Sequence, residues 1–386
     1  MKLLYHHRIG SKDGQYVHIE ELVGALRRLG HEVIVVAPPA TDRKDFGGEA
    51  GFVSALKRFL PRFVYELLEL GYSVLDYRRV ARVIRASRPD AIYERYNLYL
   101  PSGVWAHRRF GLPLLMEVNA PLYAERKKYS GISLDALARW TERFAWRGAD
   151  FVLPVTAVLA REAEQVGVPP ERIVVIPNGI DRERFSNAPA TDEAKAALGL
   201  HGRLVLGFVG FMREWHGLER LIDFIAAAGD PHRHLLLVGD GPARGALEAR
   251  ARDRGVATRV TFAGLVGRDR IAEHIAAFDI ALQPEVVAYA SPLKLFEYLA
   301  LGRAVVAPAT PNIMEVLTHE SNALLFDPKS PGAFDGAVER LCGDRALRVR
   351  LGNAAKETID RKGLTWDNNA RRVEALFERL LRGQGD

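Results

Sequence analysis

The turn His6-His7-Arg8-Ile9-Gly10-Ser11-Lys12-Asp13-Gly14 follows an apolar start, Leu3-Leu4-Tyr5. Gly10 and Gly14 let backbone N–H groups come close to a phosphate, and Lys12 adds a cation. The spacing is neither the Gly-x-Gly-x-x-Gly of a dinucleotide fold nor the Gly-Lys-Ser/Thr of a P-loop, so hydride transfer and ATP hydrolysis both lose support. The two glycines also suit a plain turn. Metal chemistry is not expected. No two aspartates stand two residues apart, and His6 and His7 are adjacent, a poor spacing for one ion on a strand. The lone cysteine, Cys342, excludes an intrachain disulfide and a cysteine zinc cage, and fits a reducing compartment.

The elements that must hold these groups follow from the apolar pattern. The chain has 386 residues, 48% hydrophobic and 26% charged, with 54 Lys and Arg against 48 Asp and Glu. That balance describes a folded chain of two or three domains, and its basic excess suits anionic ligands. Buried strands are expected at Val33–Val36, Leu112–Val118, Phe151–Val155, Ile173–Ile176, Leu204–Val209, Leu235–Val238, Val260–Phe262, Ile280–Leu282 and Ala304–Ala307. Amphipathic helices lie between them, as where Ile19, Leu22, Val23, Leu26 and Leu29 repeat on one face. Strand–helix alternation with uninterrupted apolar strands predicts parallel sheets covered on both faces. Asp181–Leu200 breaks the alternation and reads as the junction of two similarly built α/β halves, with a last helix from Trp366 to Leu381 beyond the second. Phe52, Leu56, Phe59 and Leu60, with Lys57, Arg58 and Arg62 on other faces, form a basic-aromatic stretch that suits a surface helix or a contact with an anionic membrane through 52–65. No apolar run reaches membrane-spanning length and no signal peptide is expected, which gives a cytoplasmic expectation.

Ile176-Pro177-Asn178-Gly179-Ile180-Asp181 resembles the Pro-Asn-Gly-(Val/Ile)-Asp turn of the retaining glycosyltransferases of family 4. Further signatures keep the family's order. They are Gly30-His31-Glu32-Val33, Gly239-Asp240-Gly241-Pro242, Phe262-Ala263-Gly264, Asp279-Ile280-Ala281-Leu282-Gln283-Pro284, Lys294-Leu295-Phe296-Glu297-Tyr298 and Gly302-Arg303-Ala304. The resemblance spans roughly Met1 to Asp327. It implies the GT-B architecture, two Rossmann-like doubly wound domains facing across a cleft. Residues 1–182 would form the acceptor-side domain, completed by a crossing helix at 366–382, and residues 200–360 the nucleotide-sugar domain.

By the same resemblance, Glu297 is the second glutamate of a Glu-x7-Glu motif and a ligand for the ribose hydroxyls. The first is replaced by Tyr289, in a Ser-Pro-Leu-Lys-Leu-Phe-Glu-Tyr variant that resembles a branch of the family. Ser291, Pro292, Leu293 and Lys294 open the helix whose N–H groups would face the diphosphate. The backbone of Gly210, Gly264, Leu265 and Val266 joins the donor site. The family's phosphate clamp, Gly-Arg followed by Lys-Gly, reads here Gly210-Phe211-Met212-Arg213-Glu214-Trp215-His216-Gly217. Arg213 is then the main cation and His216 a weaker, pH-sensitive partner. In the first half, His18 resembles a position near the donor sugar, and Asn119 stands where many relatives have a histidine. Glu94, Arg95 and Glu117 follow strand ends and are the acceptor-side candidates; Glu117 or Glu125 would position the acceptor hydroxyl, with a structural salt bridge to Arg126 as the other reading.

The function expected is sugar transfer with retention, from a UDP- or GDP-linked donor to a hydroxyl of a glycan or lipid-linked acceptor, in cell-surface polysaccharide or glycolipid synthesis. No metal and no cofactor are expected, and no nucleic-acid partner. A catalytically weak GT-B scaffold that binds a sugar nucleotide or a partner transferase, and a GT-B sugar-nucleotide epimerase, stay open beside it.

Overall fold

The computed structural model describes residues 1–10, 14–38 and 60–383. It divides into two units, Met1–Pro177 with Tyr289–Ser291 and Trp366–Asp386, and Asn178–Ala288 with Pro292–Thr365.

The first unit holds five parallel strands, β1 (Lys2–His6), β2 (Glu32–Val36), β3 (Ala91–Arg95), β4 (Leu114–Val118) and β5 (Phe151–Pro154), in the order β2-β1-β3-β4-β5. The spatial order reverses between β1 and β3, where His6 and Glu94 face each other in register. In open α/β sheets ligands bind outside the carboxyl ends of the strands at such a reversal. Helices Gly14–Arg28, Arg62–Ser87, Ser102–Phe110, Asp135–Gly148 and Trp366–Arg382 belong to the same unit. The last of these lies along the first: Arg28 Nη2 meets Asp367 Oδ1 at 2.7 Å, and the Trp366 ring stands edge-on to His18 at 4.8 Å.

The second unit holds six parallel strands, β6 (Leu204–Val209), β7 (Arg233–Val238), β8 (Val260–Gly264), β9 (Ile280–Leu282), β10 (Ala304–Pro308) and β11 (Leu324–Phe326), in the order β11-β10-β9-β6-β7-β8. This is the strand order of dinucleotide-binding sheets, with its reversal between β6 and β9. Two apolar layers cover the sheet, one around Phe278, Phe296 and Leu299 and one around Phe208, Ile222 and Phe334. Strands buried on both faces read as continuous apolar runs, which is why most of them are visible in the sequence.

Two expectations are corrected. Ile173–Ile176 forms no strand. Val174 N–H donates to Val152 O and Ile176 N–H to Pro154 O, each at 3.0 Å, leaving a single bridge between Val152 and Ile173. The returning bond of a parallel ladder would come from the N–H of residue 154, and Pro154 has none. The segment Asp181–Leu200 is not a junction. The units part at Pro177 and Asn178, and helices Arg182–Ser186 and Thr191–Ala197 lie within the second unit. Asp181 caps the first by accepting from Glu183 N–H at 3.0 Å, and Lys195 Nζ holds Asp279 Oδ2 at 2.7 Å. Of the basic-aromatic stretch 52–65, residues 52–59 lie outside the described residues, as does Lys12. Among the described residues no helix is long and apolar enough to cross a membrane.

Candidate functional site

At the carboxyl end of β6 the chain turns through Gly210 at φ +139°, a conformation that favours glycine. The loop is seated on a second glycine-rich turn: Gly210 N–H donates to Val238 O at 2.9 Å and Met212 N–H to Asp240 O at 2.8 Å. Gly239 and Gly241 also take left-handed φ, and a Cβ on either would strike the backbone of Gly210 or Met212. The Gly-Asp-Gly signature thus supports the 210–213 loop. Gly264 continues the same layer, accepting Gly239 N–H at 2.8 Å, with Leu265 exposed and Val266 half-buried beyond it.

Arg213 lies between two rings, its Cζ 4.8 Å from the centroid of Phe211 and 4.7 Å from that of Trp215. Phe211 does not replace the missing arginine; it is a platform for one. His216 accepts Arg213 N–H at Nδ1, 3.4 Å away. Burial, with Lys294 and Arg213 adding to it, pushes His216 down to about 3. His216 is therefore a neutral imidazole at pH 7, which corrects its expected part as a titrating cation near neutrality.

Helix Leu293–Ala300 begins beside this loop. Pro292 precedes it and no side chain caps it. Tyr298 anchors the helix by accepting Val209 N–H, and Lys294 reaches back over β6, with Nζ 3.9 Å from the Phe208 centroid. Glu297 is half-buried one turn after Leu293. Across the strand reversal, Gln283 follows β9. Its Nε2 donates to Glu285 O at 2.5 Å, while its buried Oε1 has no partner. Lys294 as a side chain and Gln283 are the two groups that sequence reasoning passed over. The unpaired polar atom at a strand end shows only once the sheet is assembled. Ser291, by contrast, groups with the first unit, as does Tyr289. Thr156 Oγ1 donates to Tyr289 O at 2.9 Å and the Tyr289 hydroxyl to Glu125.

The first unit's strand reversal is filled by charge. His6 Nε2 meets Asp76 Oδ2 at 2.8 Å and its Nδ1 meets Glu94 Oε2 at 3.1 Å, all three groups buried. Burial alone would lower His6, but the hydrogen bonds to the two carboxylates push it up to about 10. Gly103 is required here, because a Cβ would overlap the Glu94 carboxylate. Beside this triad, Glu117 accepts from His18 Nε2 at 2.8 Å, Tyr93 Oη at 2.8 Å, Arg95 Nη1 at 2.6 Å and Asn119 Nδ2. Burial would raise its pKa, yet the His18 and Arg95 charges and these bonds hold it well below the usual carboxylate range. The structure thus places Glu94, Arg95 and Glu117, expected on the acceptor side, in buried ion-pair networks, and Arg126 pairs with Glu69, not with Glu117 or Glu125. Glu94 is fully buried and Glu117 has its oxygens occupied by donors. His18 and Asn119 are brought together by Glu117. Gly10 is exposed with open space around it, and Gly14 starts helix Gly14–Arg28.

Two parallel-sheet units of these strand orders make the GT-B fold. Anabaena HepE, solved in complex with UDP, superposes with a TM-score of 0.76 over 98% of this chain and 100% of its own, at 18% identity. Residues 13–179 match the "Glycosyl transferase 4-like domain" and residues 203–344 the "Glycosyl transferases group 1" family. Together these matches take in most of the chain, which is a glycosyltransferase of the GT-B type. A GDP-mannose-dependent alpha-mannosyltransferase of Mycobacterium tuberculosis is 27% identical over 350 residues, 88% of this chain and 86% of that one. An uncharacterized glycosyltransferase of Methanocaldococcus jannaschii is 27% identical over 241 residues, and the match spans 61% of the length of each.

Proposed function

We propose that the chain transfers a sugar, with retention, from a UDP- or GDP-linked donor to a hydroxyl of a glycan or lipid-linked acceptor. The reading is carried by one observation: at the strand reversal of the second unit, a glycine turn, Arg213, Lys294 and Glu297 gather around the carboxyl end of β6. A diphosphate needs cations and close backbone, and a ribose needs a carboxylate. The GDP-mannose in the mycobacterial relative's name and the UDP in the HepE structure support this class of donor.

In the proposed step the acceptor oxygen bonds to the anomeric carbon as the bond from that carbon to the phosphate oxygen breaks. The acceptor proton passes to the departing phosphate. Negative charge grows on the diphosphate, where Arg213 and the uncapped helix start of Leu293–Ala300 would stabilise it without a metal ion. No protein nucleophile is needed, which accommodates Tyr289 at the place of the first glutamate. We place the reaction at the cytoplasmic side, in cell-surface polysaccharide or glycolipid synthesis.

The engagement of Tyr289 with Glu125 and Thr156 favours one second reading, a scaffold that binds sugar nucleotide and turns over weakly. Incubation with UDP-, GDP- and ADP-sugars and a panel of sugar and lipid-linked acceptors, followed by NMR of the product anomer, tests both. Transfer with an unchanged anomer in the presence of EDTA is expected. Donor binding with no transfer to any acceptor would favour the scaffold. An inverted product, or activity lost to EDTA and restored by Mg²⁺ or Mn²⁺, would refute the mechanism.

A further inference from the structure

The two positions where relatives place the cations of the phosphate clamp hold Phe211 and His216 here, a ring and a neutral imidazole. Arg213 alone is a single charge on a half-exposed loop. A second cation nevertheless reaches the same place from another element. A Cβ built on Gly210 would lie 3.0 Å from Lys294 Nζ and 3.1 Å from its Cε. Glycine at 210 therefore serves both the turn and the passage of the lysine.

Nζ rests over the Phe208 ring. The charged or titratable groups it faces are Glu297 on its own helix and His216 on the loop after β6, and Arg213 acts on the same His216. Holding an ammonium there beside a single acid is costly while the site is empty, and a bound anion offsets that cost.

We propose that the Lys294 ammonium is the second cation of the diphosphate site, reaching it from helix Leu293–Ala300 instead of from the loop after β6. This rests on the donor reading given above. It has a consequence that a fixed arginine clamp would not have. Burial pushes Lys294 down to about 7 against the pull of Glu297, so at slightly alkaline pH most empty sites hold a neutral amine. A bound diphosphate favours the ammonium, so binding takes up a proton. Donor affinity then falls as the pH rises above about 7, ever more steeply as the uptake approaches one proton per site.

Calorimetric titration with UDP and GDP at about pH 8, repeated in buffers of different ionisation enthalpy, reads this directly. At that pH the terminal phosphate of free nucleotide is already ionised. Wild type should take up on the order of half to one proton per nucleotide bound. Lys294→Arg, always charged, should bind without uptake and keep most of the affinity. Lys294→Met should lose both uptake and roughly tenfold or more in affinity, as expected for a charged contact. The His216→Asn variant should keep the uptake. If Lys294→Met fails to fold, the arginine variant alone decides through its proton count. Unchanged uptake in Lys294→Arg, or unchanged affinity in a folded Lys294→Met, overturns the assignment while leaving the donor reading intact. If wild type binds neither nucleotide, both fall together.

Discussion

Val209 N–H donates to the Tyr298 hydroxyl at 3.0 Å, so the last residue of β6 is tied to the middle of helix Leu293–Ala300. The ladder between β6 and β9 registers only Leu206 and Gly207, and beyond it the sheet offers Val209 no acceptor on that side. Tyr298 fills the gap, and in doing so fixes Lys294 and Glu297 against the Gly210 turn. Tyr298→Phe leaves a buried N–H without a partner. We expect a loss of about 1–3 kcal/mol in stability and a weaker grip on nucleotide, measured by denaturant unfolding and by calorimetry on the same variant. Nucleotide affinity equal to wild type would show that the helix is held by other contacts.

Glu117 is the hub of the first unit's buried network. Replacing it with Gln leaves the Arg95 guanidinium buried and unpaired, which costs about 3–5 kcal/mol. The His18→Gln variant keeps the Arg95–Glu117 pair and should cost less. Equilibrium unfolding of the two variants gives the order. A near-neutral Glu117→Gln would return Glu117 to the acceptor-side candidates.

The His6 triad makes stability depend on pH in a stated direction. An unfolded histidine gives up its proton near 6.5, whereas folded His6 holds its proton to about 10. The folded chain thus binds the extra proton across that interval. The contribution is complete below 6.5 and is lost as the pH rises toward 10. We expect Tm to fall by on the order of 5 °C between pH 7 and 9.5. The Glu94→Gln variant, with one carboxylate fewer to hold the proton, should begin its decline at lower pH. A Tm independent of pH over that range in wild type would place His6 in its neutral form.

The sheets were legible because a strand buried on both faces must be apolar along its length, as at Leu204–Val209 and Ala304–Ala307. Ile173–Ile176 has the same composition and failed for a reason outside its own span, the proline at 154. The glycine turns after β6 and β7 were legible as motifs, and the structure adds that one supports the other. The polar groups of the first unit were visible at strand ends but not their partners. His6 finds Asp76 and Glu94, and Glu117 finds His18, across separations no periodicity encodes. The sequence shows Lys294 only as a backbone N–H in the first turn of a helix. That its ammonium arrives beside Gly210 depends on how helix Leu293–Ala300 is anchored by Tyr298, a contact invisible in the order of residues.

We propose that the second unit's strand reversal holds a nucleoside diphosphate with Glu297 on its ribose. Calorimetric titration of wild type and Glu297→Gln with UDP and GDP decides this, because the substitution removes the charge and keeps the shape. One of the two nucleotides should bind wild type, and the variant should bind it about 1.5–3 kcal/mol more weakly, the worth of a charged hydrogen bond. Equal affinity in both proteins, with the variant folded, would contradict the account.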